Sequence, residues 1–335
     1  MKLIRTFHAV GQGAFYTERF YENGENVFNV VYDCGTSNKQ KALSNKILSE
    51  FKEGTKIDYL FVSHFHNDHI SGIKKLQDYC NIQKYVIPAI TPQLLAESAL
   101  HNFFWVKDTN NNIERFDDLL EVTRSIITTE NRIKVEESLL LLSVILSNAN
   151  RWIYYPYNPN GNSAIDIIDE LKKHSGLVNL AVAFENKDFE QITVEIKKAN
   201  LKELRNVYRI AYGRHHHYVM PVYSGYESPT INNDERVCLF TGDYDASDSA
   251  RVNALTNPLH LKWDAVGTFQ VPHHGSKDNS CKDLYNNEYR KYVISSYGPS
   301  RYHHPHNVTL GYICERFAQL LLVGTAASAS MDYEI

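Results

Sequence analysis

Three histidines and an aspartate crowd into six positions, His64-Phe65-His66-Asn67-Asp68-His69. Imidazoles and a carboxylate this close either repel one another on protonation or share a cation. Residues two apart on extended chain point the same way, so His64 and His66 can grip one ion together. Asp68 and His69 fall where the chain turns into a helix and can face a second ion. Neutral imidazole with carboxylate suits zinc, with manganese or iron as rivals. Asp68 could simply cap the following helix; the density of H-x-H-x-D-H favours metal.

Two later clusters extend the set. Thr241-Gly242-Asp243 offers a carboxylate able to bridge two ions, and Pro272-His273-His274-Gly275-Ser276 offers His273 or His274 to complete the second position. In His303-His304-Pro305-His306, His304 is a candidate donor or general acid near the substrate. Its bland alternative is to fix the Pro305 turn. Asp33 and Asp58 are candidates to orient ligand histidines through their free ring nitrogens. For Asp33 a plain turn role beside Gly35 competes. His215–His217 read as a solvated loop rather than a ligand set. The aromatic stretch 151–157 reads as core or lid packing ahead of base stacking.

Strand-like runs at 57–62, 237–240, 265–271 and 292–295 each precede one of these clusters. Loops at one sheet edge then converge on one crevice. At the N-terminal end, runs at 14–20 and 27–32 flank Asn23-Gly24 and read as a hairpin, after a strand at 2–8. Apolar spacing predicts helices at 39–51 and 70–79, with a strand at 85–87. This rhythm means an α/β layered fold. Residues 91–175 lose the rhythm and read as a mostly helical insertion. Strands return at 177–184 and 192–196. A helix at 310–318 and a strand at 320–323 close the chain.

The 335 residues suffice for one large core, and we read residues 1–335 as a single domain. Apolar content of 43% and charged content of 22% are those of an ordinary globular protein. A net charge of −4 gives no global basic field to attract nucleic acid. Five dispersed cysteines imply a reducing compartment. The start, MKLIRTFHAVGQG, lacks a signal peptide's apolar core, and the apolar run 139–146 is too short to span a bilayer. The expected location is the cytoplasm, with no membrane partner.

At this point the chain resembles a known family. The first motif, Thr241-Gly242-Asp243 and Pro272–Ser276 together look like the metallo-β-lactamase superfamily. Val10-Gly11-Gln12-Gly13, Tyr32-Asp33-Cys34-Gly35 and the segment 302–306 look like its branch of hydrolase domains from ComEC-type DNA-uptake proteins. The resemblance covers residues 1–90 and about 177–325. It implies an αββα sandwich with a two-metal site, zinc most simply, at one sheet edge. Carried over by motif, His64 and His66 hold one ion, Asp68 and His69 the other, and Asp243 bridges. The histidines His273 and His274 fall at the last ligand.

Ala14 stands where ComEC-type chains have Asp, and His303 where they have Gly. The superfamily's histidine between the first motif and the bridging Asp has no motif here, although His174 lies near the place. The implied activity is hydrolysis of a phosphodiester, nucleic acid included, by a metal-bound hydroxide oriented by Asp68 or Asp243. The alternatives are hydrolysis of a small ester, lactone or thioester, or a metal-stabilised effector subunit without turnover, because one fold serves many chemistries.

Overall fold

The computed structural model describes residues 1–109, 113–135, 142–145, 151–158, 165–213, 218–295, 297–298 and 303–335. Two seven-stranded sheets among these residues pack face to face. The first runs in the spatial order Ala329–Glu334, Lys2–Phe7, Phe15–Glu22, Glu25–Cys34, Tyr59–Phe61, Tyr85–Pro88, Arg132–Val135. The second runs Gln319–Val323, Lys291–Ser295, Val266–Gln270, Asp234–Phe240, Val222–Tyr226, Arg151–Pro156, Leu142–Ile145. Each sheet has an antiparallel half and a parallel half.

Side-chain alternation sets the layers. Val31 and Leu60 turn toward the helices Gln40–Glu50 and Ile73–Tyr79, whose Leu43, Ile47, Ile73 and Leu76 they meet. Val30, Tyr32 and Phe61 turn the other way, onto Trp152, Tyr154, Val222 and Phe240 of the second sheet. Period-two alternation lets one strand serve two cores. The second sheet's outer face, with Ile153, Tyr223, Leu239 and Phe269, packs on Val252, Leu255 and Ile313 from short helices. The result is a mixed α/β, four-layered arrangement consistent with a metallo-β-lactamase fold. Asn23 and Gly24 both have positive φ, 51° and 84°, the geometry of a two-residue hairpin turn.

The structure corrects the reading of the middle of the chain. Residues 91–175 do contain the long helices Pro92–Asp108 and Glu114–Thr128. They also supply the strands Arg132–Val135, Leu142–Ile145 and Arg151–Pro156, which extend the two sheets. The segment is mostly helical among its described residues, as expected, and through these strands it is also woven into the sandwich. Runs 177–184 and 192–196, expected as strands, are the helices Val178–Asn186 and Phe189–Lys198. Their buried residues, Leu180, Ala181, Ala183 and Phe184, then Ile192 and Ile196, repeat at helical spacing. Asp188 caps the second by accepting from the Gln191 amide.

Trp152 and Tyr154 are buried between the sheets, so that aromatic stretch is core. Residues 146–150, 215–217 and 302 lie outside the described residues. All five cysteines are free thiols. No helix among the described residues is long and apolar enough to cross a membrane.

Candidate metal centre

The parallel halves bring the carboxyl ends of Glu25–Cys34, Tyr59–Phe61, Asp234–Phe240, Val266–Gln270 and Lys291–Ser295 to one edge of the sandwich. The polar clusters follow these ends. After Phe61 the chain bends at Ser63, is extended at His66 and then enters the helical turn Asn67–Ile70, which carries Asp68 and His69. The backbone of Asp68 is wedged against the first sheet. Its carbonyl accepts from the Ala14 amide at 2.9 Å, and a Cβ on Gly35 would meet it at 2.5 Å. That close approach explains why Gly13 and Gly35 stand at this point.

Asp33 organises the ligand histidines. Its Oδ1 accepts from the Ser63 amide at 2.7 Å, and its Oδ2 accepts from Ser63 Oγ and His69 Nδ1, each at 2.7 Å. Because the Ser63 hydroxyl donates to Asp33, it can only accept from His64 Nδ1, 2.9 Å away. Both rings then carry a proton on Nδ1 and turn Nε2 toward Asp243. Burial raises the pKa of Asp33 despite His69 and Ser63. Three donors at 2.7 Å nevertheless require an ionised acceptor, and we read it so. Asp33 adopts a left-handed φ of 54° to do this.

Asp243 lies between two groups. Its Oδ1 is 3.2 Å from His69 Nε2 and 3.5 Å from His274 Nε2. Its Oδ2 is 3.9 Å from His64 Nε2 and 3.6 Å from His273 Nε2. Asp68 Oδ2 is 3.4 Å from His274 Nε2. One donor atom each from Asp68, His69, Asp243 and His274 all lie within 4.8 Å of one another. Most of these separations are long or poorly aligned for strong hydrogen bonds, and they suit atoms arranged around a common cation.

Among the described residues, both His274 nitrogens, His69 Nε2 and Asp243 Oδ1 are buried without a good hydrogen-bond partner. Buried polar atoms in that condition are costly unless something fills the space between them. Imidazole and carboxylate are hard-to-borderline donors, so a divalent transition metal fits.

The charges agree. Burial opposes ionisation of Asp68, but bonding to His274 and the charge of His69 hold its carboxyl below the usual range. Burial likewise opposes ionisation of Asp243, and His273, His69 and His274 outweigh it, holding it well below that range. For His69, burial opposes a proton, yet Asp243 and Asp33 raise its pKa well above the ordinary value. Two carboxylates that would keep a proton on a buried ring would equally hold a cation in its place.

Of the other predicted residues, His66 stands nearly perpendicular to His64, with ring centroids 4.4 Å apart. His273 is outside the four-residue group. Its Nδ1 donates to Asn279 Oδ1 at 2.7 Å, which aims Nε2 at Asp243. His304 is 5.6 Å from His273 and 6.2 Å from His274 by ring centroids. Burial, then the charges of His273 and His274, lower its pKa to about 3. It is thus a neutral hydrogen-bonding imidazole and not a standing acid.

Asp58 takes no part: it accepts from the Asn29 amide at 2.9 Å and pairs with Lys56 at 2.6 Å. His174 bonds Glu203 at 2.8 Å on the helical layer. Ser63 and Asn279 were not legible as site residues. Ser63 and Asn279 do lie within six residues of the histidines they hold.

The model of the metallo-beta-lactamase superfamily matches residues 24–129, which include the whole first motif. No curated protein matches the chain. Among solved structures, one described as "Peroxy diiron species of chemotaxis sensor ODP" is 12% identical, covers 96% of this chain and 82% of its own, and has a TM-score of 0.30. That likeness is too distant to bear on chemistry.

Proposed function

We propose that the protein is a soluble, cytoplasmic hydrolase of phosphodiesters, nucleic acid among its candidate substrates, that works with two zinc ions. The observation that carries this reading is the two-sided Asp243, with one oxygen toward His69 and His274 and the other toward His64 and His273. A pair of divalent cations, when bound, supplies an activated water and neutralises charge on phosphoryl oxygens.

The chain's own groups do the remaining work. Asp243 fixes the separation of the two positions. Asp68, kept ionised by His274 and His69, accepts a hydrogen bond from the attacking water and orients it. His304, neutral at working pH, donates its N–H to a phosphoryl or leaving oxygen. The likeness of the chain's motifs to ComEC-type hydrolase domains supports a phosphodiester over an acyl substrate.

The test is a panel assay on zinc-loaded protein: bis(p-nitrophenyl) phosphate and short DNA and RNA against p-nitrophenyl acetate, a lactone and a thioester. Phosphodiester cleavage is expected to dominate. Turnover of the acyl substrates alone would replace the substrate class. Two bound ions with no turnover on any substrate would make the protein an effector.

A further inference from the structure

The long helix Pro92–Asp108 meets the histidine loop around His66. The helix is firmly set: Thr91 caps it by accepting from the Leu94 amide, and Leu94, Leu95, Ala99, Leu100 and Phe103 are buried beneath it. Asn102, itself buried, brackets His66 along the backbone. Its Nδ2 donates to the Phe65 carbonyl at 2.8 Å, and its Oδ1 accepts from the Asn67 amide at 2.8 Å. The His66 carbonyl accepts from the His69 and Ile70 amides at 2.9 and 3.1 Å. The ring of His101 lies flat on the ring of His66, with centroids 3.7 Å apart and planes 8° from parallel.

Parallel stacked imidazoles have in-plane lone pairs that run side by side. They cannot both point at one ion about 2 Å from each nitrogen. His101 is thereby unsuited to share an ion with His66, yet it fixes the plane in which His66 presents its nitrogen. His64 and His69 are oriented through Ser63 and Asp33. His66 is oriented by a stacked ring and a bracketed backbone.

We infer that His101, with Asn102, is a positioning residue for His66 and sets the metal affinity of the His64–His66 position. This rests on reading the histidine cluster as a metal centre. It also gives the helix Pro92–Asp108, which lies outside the motifs, a part in the chemistry.

The experiment is a cobalt(II) titration of the full chain, followed by visible absorption and by metal content after dialysis. His64→Ala identifies the equivalent that belongs to the His64–His66 position. His101→Ala should weaken that equivalent by roughly 10–100-fold and spare the one held by Asp68, His69, Asp243 and His274. His101→Phe keeps a stacking ring without a donor nitrogen and should restore most of the affinity. Thermal melting confirms that both variants are folded.

Unchanged affinity in a folded His101→Ala overturns the inference. So does a His101→Phe variant as weak as the Ala one, which would make the imidazole itself a ligand. A wild-type chain that takes up no cobalt fails differently, because it removes the metal centre and this inference together.

Discussion

Two of the buried clusters of charged groups among the described residues are built on opposite plans. Between the sheets, Arg5 faces Glu18 across an antiparallel pair and donates Nε–H to its Oε1 at 2.6 Å. The other guanidinium nitrogens donate to the carbonyls of Glu235 and Arg236. Glu18 Oε2 accepts from Tyr154 and Ser224, each at 2.6 Å. Every charge there is answered by a protein group. At the sheet edge, His274 Nε2, His69 Nε2 and Asp243 Oδ1 face one another across gaps too long or too poorly aligned to hydrogen-bond well. The first cluster is complete as it stands, whereas the second is complete only around a guest. A buried charge cluster therefore says little until its donors and acceptors are matched one against another.

The comparison is broken first by Asp243→Asn. The shape survives but the charge between the two positions is lost. Metal content should fall at both, and turnover should fall by more than about 10²-fold, since a misplaced reacting group alone costs that much. Near-normal turnover of a folded, metal-loaded Asn variant would end the bridging role.

In the other cluster, Glu18→Ala leaves the Arg5 cation buried without its partner. It should cost about 3–5 kcal/mol of stability in denaturant unfolding. Its folded fraction should still bind metal as the wild type does. Loss of metal affinity there would mean the two clusters are coupled through the strand Phe15–Glu22.

The reach of the sequence follows from how far apart the partners lie along it. The first motif was legible because its candidate ligands fall at i, i+2, i+4 and i+5, a spacing that few other needs produce. The strands ending at Phe61, Phe240 and Gln270 were legible as short apolar runs before polar turns. The helices Val178–Asn186 and Phe189–Lys198 were misread because short apolar stretches satisfy both periodicities until a core selects one. His101 meets His66 from 35 residues away, and Asn102 meets Asn67 across the same gap. Neither contact leaves a local mark. Asp58 shows the reverse error: a carboxylate just ahead of the motif, which turns back to Asn29.

Asp33→Asn is the finer test of the incomplete cluster. Asn tolerates the left-handed backbone at this position, so the turn should survive. One carboxylate oxygen becomes an amide that faces donors, from Ser63 on one side or from Ser63 and His69 on the other. His69, and His64 through Ser63, lose their fixed orientation. Metal affinity should drop by roughly 10–100-fold, beside a loss of about 1–3 kcal/mol in the metal-free protein from the buried donors left facing a donor. A large loss of stability at unchanged affinity would make Asp33 a turn residue and nothing more.

The smallest effect expected is that of pH on metal uptake, and its sign follows from His69. Asp243 and Asp33 raise this group's pKa well above 6.5, so the metal-free protein carries a proton there at pH 7. A ligand nitrogen must be free of its proton, so binding at the Asp68, His69, Asp243 and His274 position should release about one proton per ion. Affinity should climb about tenfold per pH unit from 6.5 up to the raised value of His69, then level off. For the metal-free chain the sign reverses. A raised pKa contributes stability that is fully present below 6.5 and is lost as pH rises through the folded value. Calorimetric titration with zinc in buffers of different ionisation enthalpy counts the protons. A count near zero at pH 7, with affinity flat across the window, would mean that His69 is already neutral and that the field of the two carboxylates is answered by another group.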